Sequence, residues 1–461
     1  MKMLKTFAFA AIAACCTGAL ADVAAETSVT ADKASSSNTT LSEKDVADVN
    51  ESVKVRKRGR RTSAKNLVEK DINDYFEGMG ISPGVPDKSG NVYFSGIARV
   101  ERNVKDPAFI KSRALAFDKA YQSALAKYVM DKFGREVLES ERTYFNDQSS
   151  GRLAPAAEVK NATTRIVEKA ALLAEAELDG RLREMGKTPS GSIVEKRKLF
   201  VDSIMKKSMA RAVGSSSGVL PVQSFEGWTD NGKYAVGVAL RGGLVTEEVA
   251  SCLREKQMPK LARPTGMSVR EAIPGDEELP AQFGVRLFFD ETGTPALLGF
   301  GQWGVSYAGT DEDMLDRAEE SARKQAERAA NEVLTQFINS TISVSEESER
   351  AETVSSSALF DDEGNVSEEG VKNLIDRVRE QSTMRGSDSM IGRSTPKPAV
   401  IVDHPSGHAV AVCVRMWSFG QYDAMKRVVD RNAERPSGRT PAQRKFGESG
   451  SGTRRGRSFD F

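Results

Sequence analysis

Ala235-Val236-Gly237-Val238-Ala239-Leu240-Arg241 and Ala409-Val410-Ala411-Val412-Cys413-Val414-Arg415 are two stretches of one chain that agree at four of seven positions. Each alternates a small side chain (Ala235, Gly237, Ala239; Ala409, Ala411, Cys413) with a β-branched or larger one (Val236, Val238, Leu240; Val410, Val412, Val414). Period-two alternation reads as a strand with two different faces. The small faces are expected to receive a closely packed helix. Each stretch is the returning arm of a hairpin, about Asp230-Asn231-Gly232-Lys233 in the first case and His404-Pro405-Ser406-Gly407 in the second. Asn-Gly is a strong turn signal because both central residues accept positive φ.

The duplication extends beyond these two strands. Asn91–Val100 follows the turn Asp87-Lys88-Ser89-Gly90, and Thr294–Trp303 follows Asp290-Glu291-Thr292-Gly293, 203 residues later. Small residues stand two apart in both strands, Gly96 and Ala98 against Gly299 and Gly301. Because Gly weakens a strand, such pairs point to a close neighbour on that face. Acidic lead-ins, Asp106-Pro107 and Asp311-Glu312-Asp313, then introduce helices, as suits the positive end of a helix dipole. The second helix carries Ala318, Ala322, Ala326 and Ala330 in an i, i+4 ladder.

These units predict an α+β fold of two tandem divergent modules, each strand, helix, insertion and β-hairpin, with the helix packed on a small antiparallel or mixed sheet. The first module is expected over 67–262 with a helical insertion at 135–216. The second is expected over 276–432 with a polar insertion at 340–396. The insertions do not resemble each other, so they are where the modules should differ in role.

The ends read differently. Residues 1–21 have the form of an export leader, with Lys2 and Lys5 ahead of the apolar run Phe7–Ala21 and Ala19-Leu20-Ala21 before Asp22. Two processing routes stay open: cleavage after Ala21, or lipidation of Cys15, since Ile12-Ala13-Ala14-Cys15 has lipoprotein-box character. Residues 22–66 are polar and expected to be a disordered basic linker; residues 433–461, rich in Gly, Ser, Pro and Arg, are expected to be a disordered tail. The linker contains Lys54, Arg56, Lys57, Arg58, Arg60 and Arg61, candidates for contact with an anionic surface. Over all 461 residues the charge is only +1, so whole-chain electrostatics select no partner and no nucleic acid is expected. No transmembrane helix is expected in the mature chain.

Candidate chemistry is sparse. Gly299-Phe300-Gly301-Gln302-Trp303-Gly304 matches G-x-G-x-x-G, but the pattern binds a dinucleotide only where a helix begins inside it, and Val305-Ser306-Tyr307 continues extended. Close strand packing is the expected reading. His404 and His408 are the two histidines, with Asp403 beside them, but Pro405 and Gly407 make this a hairpin turn without a third ligand, read as solvated. The carboxylates Glu226, Asp230, Asp290 and Glu291 could pair for acid–base work only if the fold joined them. Cys252 and Cys413 form either one disulfide or two buried thiols. No catalytic, cofactor-binding or metal site is therefore predicted.

The unit of Gly96, Ala98, Arg113, Ala114, Ala120 and Ala124, repeated as Gly299, Gly301, Arg317, Ala318, Ala322 and Ala326, resembles the small bacterial outer-membrane lipoprotein family and the amino-terminal domain of a periplasmic flagellar ring protein. The resemblance implies an envelope-facing module without catalysis. Taken with the leader, it sets the expectation of an exported periplasmic or envelope protein, not an enzyme, that binds an envelope protein or an anionic envelope polymer. The alternative is a small-molecule or glycan binder using the cleft between modules.

Overall fold

The computed structural model describes residues 63–145, 157–255, 257–260, 266–307, 309–349, 367–383 and 393–433. The leader, Cys15, the cations from Lys54 to Arg61 and the tail beyond Ala433 lie outside the described residues. The fold is α+β, with two antiparallel sheets.

The first described element was not anticipated. Helix α1, Ala64–Gly78, begins inside the expected linker because Ser63 caps it, its side chain accepting from the Asn66 N–H. Ala64, Val68, Ile72 and Phe76, each four apart, form one buried stripe. Strand β1, Val92–Arg99, follows, and then helix α2, Phe109–Phe145. Asp106 caps the entry to α2, its carboxylate accepting from the Ala108 N–H at 2.8 Å. Helices α3 (Ala157–Leu172), α4 (Glu175–Glu184) and α5 (Ile193–Ser215) make up the first insertion. Strands β2 (Leu220–Trp228) and β3 (Tyr234–Gly242) complete sheet 1, in the order β1-β3-β2, and helix α6 (Leu244–Glu255) closes the module.

A short helix α7 (Val269–Ala272) leads to β4 (Gly284–Phe289), a strand the periodicity did not reveal, and β5 (Pro295–Gly304). Helix α8 (Glu312–Glu349), helix α9 (Glu368–Thr383), strands β6 (Arg393–Asp403) and β7 (Ala409–Ser418) and helix α10 (Phe419–Ala433) follow. Sheet 2 has the order β4-β5-β7-β6. The insertion boundaries shift accordingly. Helix α2 runs past residue 135, continuing through Gly134, α8 runs past 340, and β6 starts before 396.

The expected seating of the Ala-rich helices holds in one module and inverts in the other. In sheet 2, Ala322, Ala326 and Ala330 of α8 pack on Ala411 and Cys413, the small face. In sheet 1 the small face, Ala235 and Ala239, packs instead on Ala64, Val68 and Ile72 of α1, while α2 lies on the Val236 and Val238 side. The cause is register. Gly96 pairs with Val238, whose counterpart is Val412, but Gly299 pairs with Arg415, three residues further along. An odd shift exchanges the faces of a strand.

That exchange joins the modules. Val236, Val238 and Leu240 of sheet 1 and Val410, Val412 and Val414 of sheet 2 belong to one apolar cluster with Phe109, Ile110, Phe117 and Ala120 of α2. Ile110 approaches Gly304, and Phe117 stacks on Phe283 at 4.7 Å between centroids. The second insertion reinforces the join, since Gln122 of α2 donates to Asp376 of α9 at 2.7 Å.

Both strand glycines are packing positions. A Cβ at Gly96 would collide with the Ala120 carbonyl, and one at Gly301 with the Ala330 amide and Ala326 carbonyl. Gly301→Ala is expected to destabilise the protein by about 3 kcal/mol, because a helix backbone must retreat. Gly180→Ala, where a Cβ meets open space within α4, is expected to be neutral or slightly stabilising. Urea unfolding midpoints test the pair; equal midpoints would remove close packing as the reason for the glycines.

Candidate functional site

Arg113 lies on the apolar stripe of α2, one turn after Phe109 and one before Phe117, and its side chain is fully buried at the join between the modules. Its guanidinium sits 4.5 Å from the centre of the Phe283 ring. Nε donates to Oε1 of Glu226 on β2 at 2.7 Å, and Nη1 donates to Oε1 of Gln302 on β5 at 2.8 Å. Nη2 donates to the Pro280 carbonyl. Gln302 is oriented by its own amide, which donates to the carbonyls of Pro280 at 2.9 Å and Gln282 at 2.5 Å. A planar fork of donors is thus matched by acceptors from both sheets.

The second Glu226 oxygen, Oε2, accepts from the Tyr234 hydroxyl and from Nε2 of His404 at 3.1 Å. Nδ1 of His404 accepts the Ser406 N–H at 3.1 Å and lies 2.6 Å from the Ser406 hydroxyl. These bonds assign the Nε2–H tautomer to neutral His404. Burial would raise the Glu226 pKa, but the Arg113 charge and the hydrogen bonds from His404, Arg113 and Tyr234 together bring it down to about 2. His404 is pulled below its ordinary value, first by burial and then by the nearby Arg113 cation, against the raising effect of Glu226. Burial, then the Glu226 charge, pushes the Tyr234 phenol up.

Chemically, Ser406, His404 and Glu226 form a hydroxyl–imidazole–carboxylate chain. Two features make its imidazole a weak base: Nδ1 already holds a backbone N–H, and Arg113 neutralises the carboxylate that would support an imidazolium. A divalent cation placed beside His404 and Glu226 would face the same guanidinium. Among the described residues, no group of three His, Cys, Asp or Glu side chains is arranged to hold a metal ion.

The solvated-turn reading of His404 is corrected: the ring is buried, and His408 stacks on Phe109 at 5.5 Å while facing the Val104 carbonyl. Of the four carboxylates, only Glu226 enters the site. Asp230 and Glu291 are exposed in turns, and Asp290 caps the Thr292 and Thr294 N–H groups. Cys252 and Cys413 are free and lie in separate clusters. Burial pushes both thiols up to about 11, so neither is a ready nucleophile. Gly299 to Gly304 is strand throughout. Arg113 entered the sequence reading only as part of a repeat pattern. A sharper signal was present, a cation in phase with Phe109, Ile110, Ala116, Phe117 and Ala120, whereas its repeat counterpart Arg317 is exposed.

Residues 163–255 match DUF6844, a domain of unknown function. The matched stretch runs from α3 through the first hairpin to α6, so it takes in Glu226 and Tyr234 but not Arg113, Gln302 or His404. A hypothetical protein from Francisella tularensis, known from a crystal structure, is similar at a TM-score of 0.50 and 20% identity, over 81% of this chain and 98% of that one. Coverage of that extent includes both modules, so the two-sheet fold recurs there. No curated protein matches.

The site predicts an acid response. His404 titrates below its ordinary 6.5 when folded, so as pH falls through 6.5 the unfolded chain takes up that proton first. Its contribution to stability is full above 6.5 and is lost as pH falls toward the folded pKa. The Glu226 contribution is full above 4.5 and is lost as pH falls toward about 2. Between pH 7 and 5 the unfolding free energy of the wild type should therefore fall more steeply than that of His404→Gln. Parallel slopes would show that His404 is not buried in neutral form.

Proposed function

We propose that this chain is an exported, non-catalytic interaction protein of the cell envelope, whose first insertion presents the contact surface. The observation that carries this reading is the apolar exposure of that insertion. Leu172 is 85% exposed, Val194 69% and Val167 41%. Leu172 ends α3 and Val194 lies in the first turn of α5, and the two helix ends are tied by Arg197 Nη2 donating to the Leu173 carbonyl at 3.1 Å. Apolar side chains held out on a rigid helical support are what a partner surface needs. The insertion itself is firmly attached, since Glu141 of α2 accepts from Arg165 at 2.8 Å and Lys169 at 2.8 Å.

Export is read from the leader and from the resemblance to envelope lipoproteins; Lys54 to Arg61 would add attraction to an anionic envelope polymer. Among the described residues no helix is long and apolar enough to cross a membrane. Absence of catalysis is supported by the saturation of the Arg113, Glu226 and His404 groups, whose polar atoms are engaged with one another. A second reading, glycan or small-molecule binding along the join, is favoured by Trp228, which is 53% exposed and stacked on Tyr234 at 5.8 Å. Its open ring face is suited to an apolar sugar face.

In-cell photocrosslinking separates the readings. A photoreactive residue at position 172 or 194 should yield a discrete adduct with an envelope protein, and one at exposed position 313 of α8 should not. No adduct at 172 or 194, combined with saturable quenching of tryptophan emission by soluble envelope glycans, would replace the first reading with the second.

A further inference from the structure

Helix α10 follows β7 as α6 follows β3, and the two helices differ in what covers them. Val249, Cys252 and Leu253 of α6 are buried in one cluster with Leu334 and Ile338 of α8. Among the described residues, α10 is anchored by its first turn. Ser418 caps it, the hydroxyl accepting the Gln421 N–H at 3.2 Å. Phe419 is buried with its ring 4.8 Å from that of Trp417, and half-buried Tyr422 lies 5.9 Å from the same ring. Past Tyr422, Ala424, Met425, Lys426, Arg427, Val428 and Arg431 are exposed. Residues 423–433 therefore carry the helix about 16 Å beyond its anchor.

Met425 and Val428 are each more than half exposed, and a spacing of three places them on one side of the helix. Lys426, Arg427 and Arg431 are exposed around them, with Asp423 pairing to Arg427 at 2.6 Å. The charge of the following sequence has the same sign. Residues 419–461 contain ten Lys and Arg against five Asp and Glu, a net +5, so with +1 for the whole chain residues 1–418 carry −4. Positive charge is thus concentrated in this stretch. Phe446, Phe459 and Phe461 stand among its cations.

Two exposed apolar side chains bury too little area to hold a partner by themselves, so the surface that fits α10 must also answer its charge. An anionic phospholipid bilayer is apolar beneath and negative on top, and it attracts basic segments next to an inserted helix. A nucleic acid would use the charge and leave Met425 and Val428 in water. We propose that α10 is an interfacial helix that docks this chain on an anionic phospholipid surface. Met425 and Val428 enter the boundary between headgroups and acyl chains, and Lys426, Arg427, Arg431 and the cations after Ala433 face the lipid phosphates. Docking of this kind needs no partner at the first insertion, so a lack of adducts at positions 172 and 194 would leave it standing.

Co-sedimentation with vesicles tests the assignment on the chain without residues 1–21, which retains every described residue. Phosphatidylglycerol vesicles should bind it about tenfold or more tightly than phosphatidylcholine vesicles, with the difference shrinking at high salt. Met425→Gln combined with Val428→Gln, which leaves the charge unchanged, should weaken binding to the anionic vesicles by about tenfold. Because both side chains are exposed, the urea midpoint of that variant should match the wild type. Cys252 and Cys413 are buried, so an environment-sensitive dye can be directed to a new surface cysteine. Its emission should shift to the blue on anionic vesicles from Met425→Cys and stay unshifted from Arg427→Cys, on the opposite side of the helix. Equal binding to both vesicle types, or an equal dye response at 425 and 427, would overturn the docking. Undiminished binding in the glutamine pair would also overturn it, leaving only attraction to any polyanion, nucleic acid included. A wild-type dimer that the glutamine pair dissociates, without vesicle binding, would give the face to a second copy instead.

Discussion

Arg113 is the side chain on which the rest of the structure depends. Its guanidinium is buried where the two sheets and α2 converge, with acceptors from β2, β5 and the segment before β4. A buried guanidinium is stable only if its charge and its donors are matched. Here those matches come from both modules, so satisfying Arg113 requires the modules to be docked in this one orientation. Apolar contacts alone would bury similar area over several neighbouring alignments; the fork does not tolerate a slide. Its contribution is therefore to orientation more than to net stability.

The strand registers make this docking available. With the register of sheet 1, the β-branched face carries α2, and with the register of sheet 2, three residues displaced, the β-branched face is left uncovered by α8. The uncovered face of sheet 2 and the far side of α2 then bury each other. Helix α1 covers the small face of sheet 1 that α2 leaves open, with Val68 and Ile72 against Gly237. Two copies of nearly the same strand pattern thus form one layered core instead of two separate domains.

Much of this was legible in the sequence, because it is written in local periodicity. The alternating strands, the glycine pairs, the alanine ladder and the helical character of the first insertion all follow from patterns within a few residues. What was not legible depends on pairing across long separations. Register decides which face meets which helix, and nothing between Gly96 and Val238 encodes it locally. His404 and Glu226 are 178 positions apart, and each lies beside a turn, so nothing local to either marks it as buried against the other. Only Arg113 carried a local sign of burial, its phase on an apolar helix face. Helix α1 was missed because its buried stripe, Ala64, Val68, Ile72 and Phe76, is narrow and set among charged residues.

Native-state hydrogen exchange tests the shared core most directly. The amides of Val238 in sheet 1 and Val412 in sheet 2 should open with the same free energy in the wild type. In Arg113→Met, which leaves the Glu226 carboxylate buried without its counter-charge, both should lose protection together by about 3–5 kcal/mol. Retention of full protection at Val412 while Val238 loses it would contradict a single core fastened at Arg113.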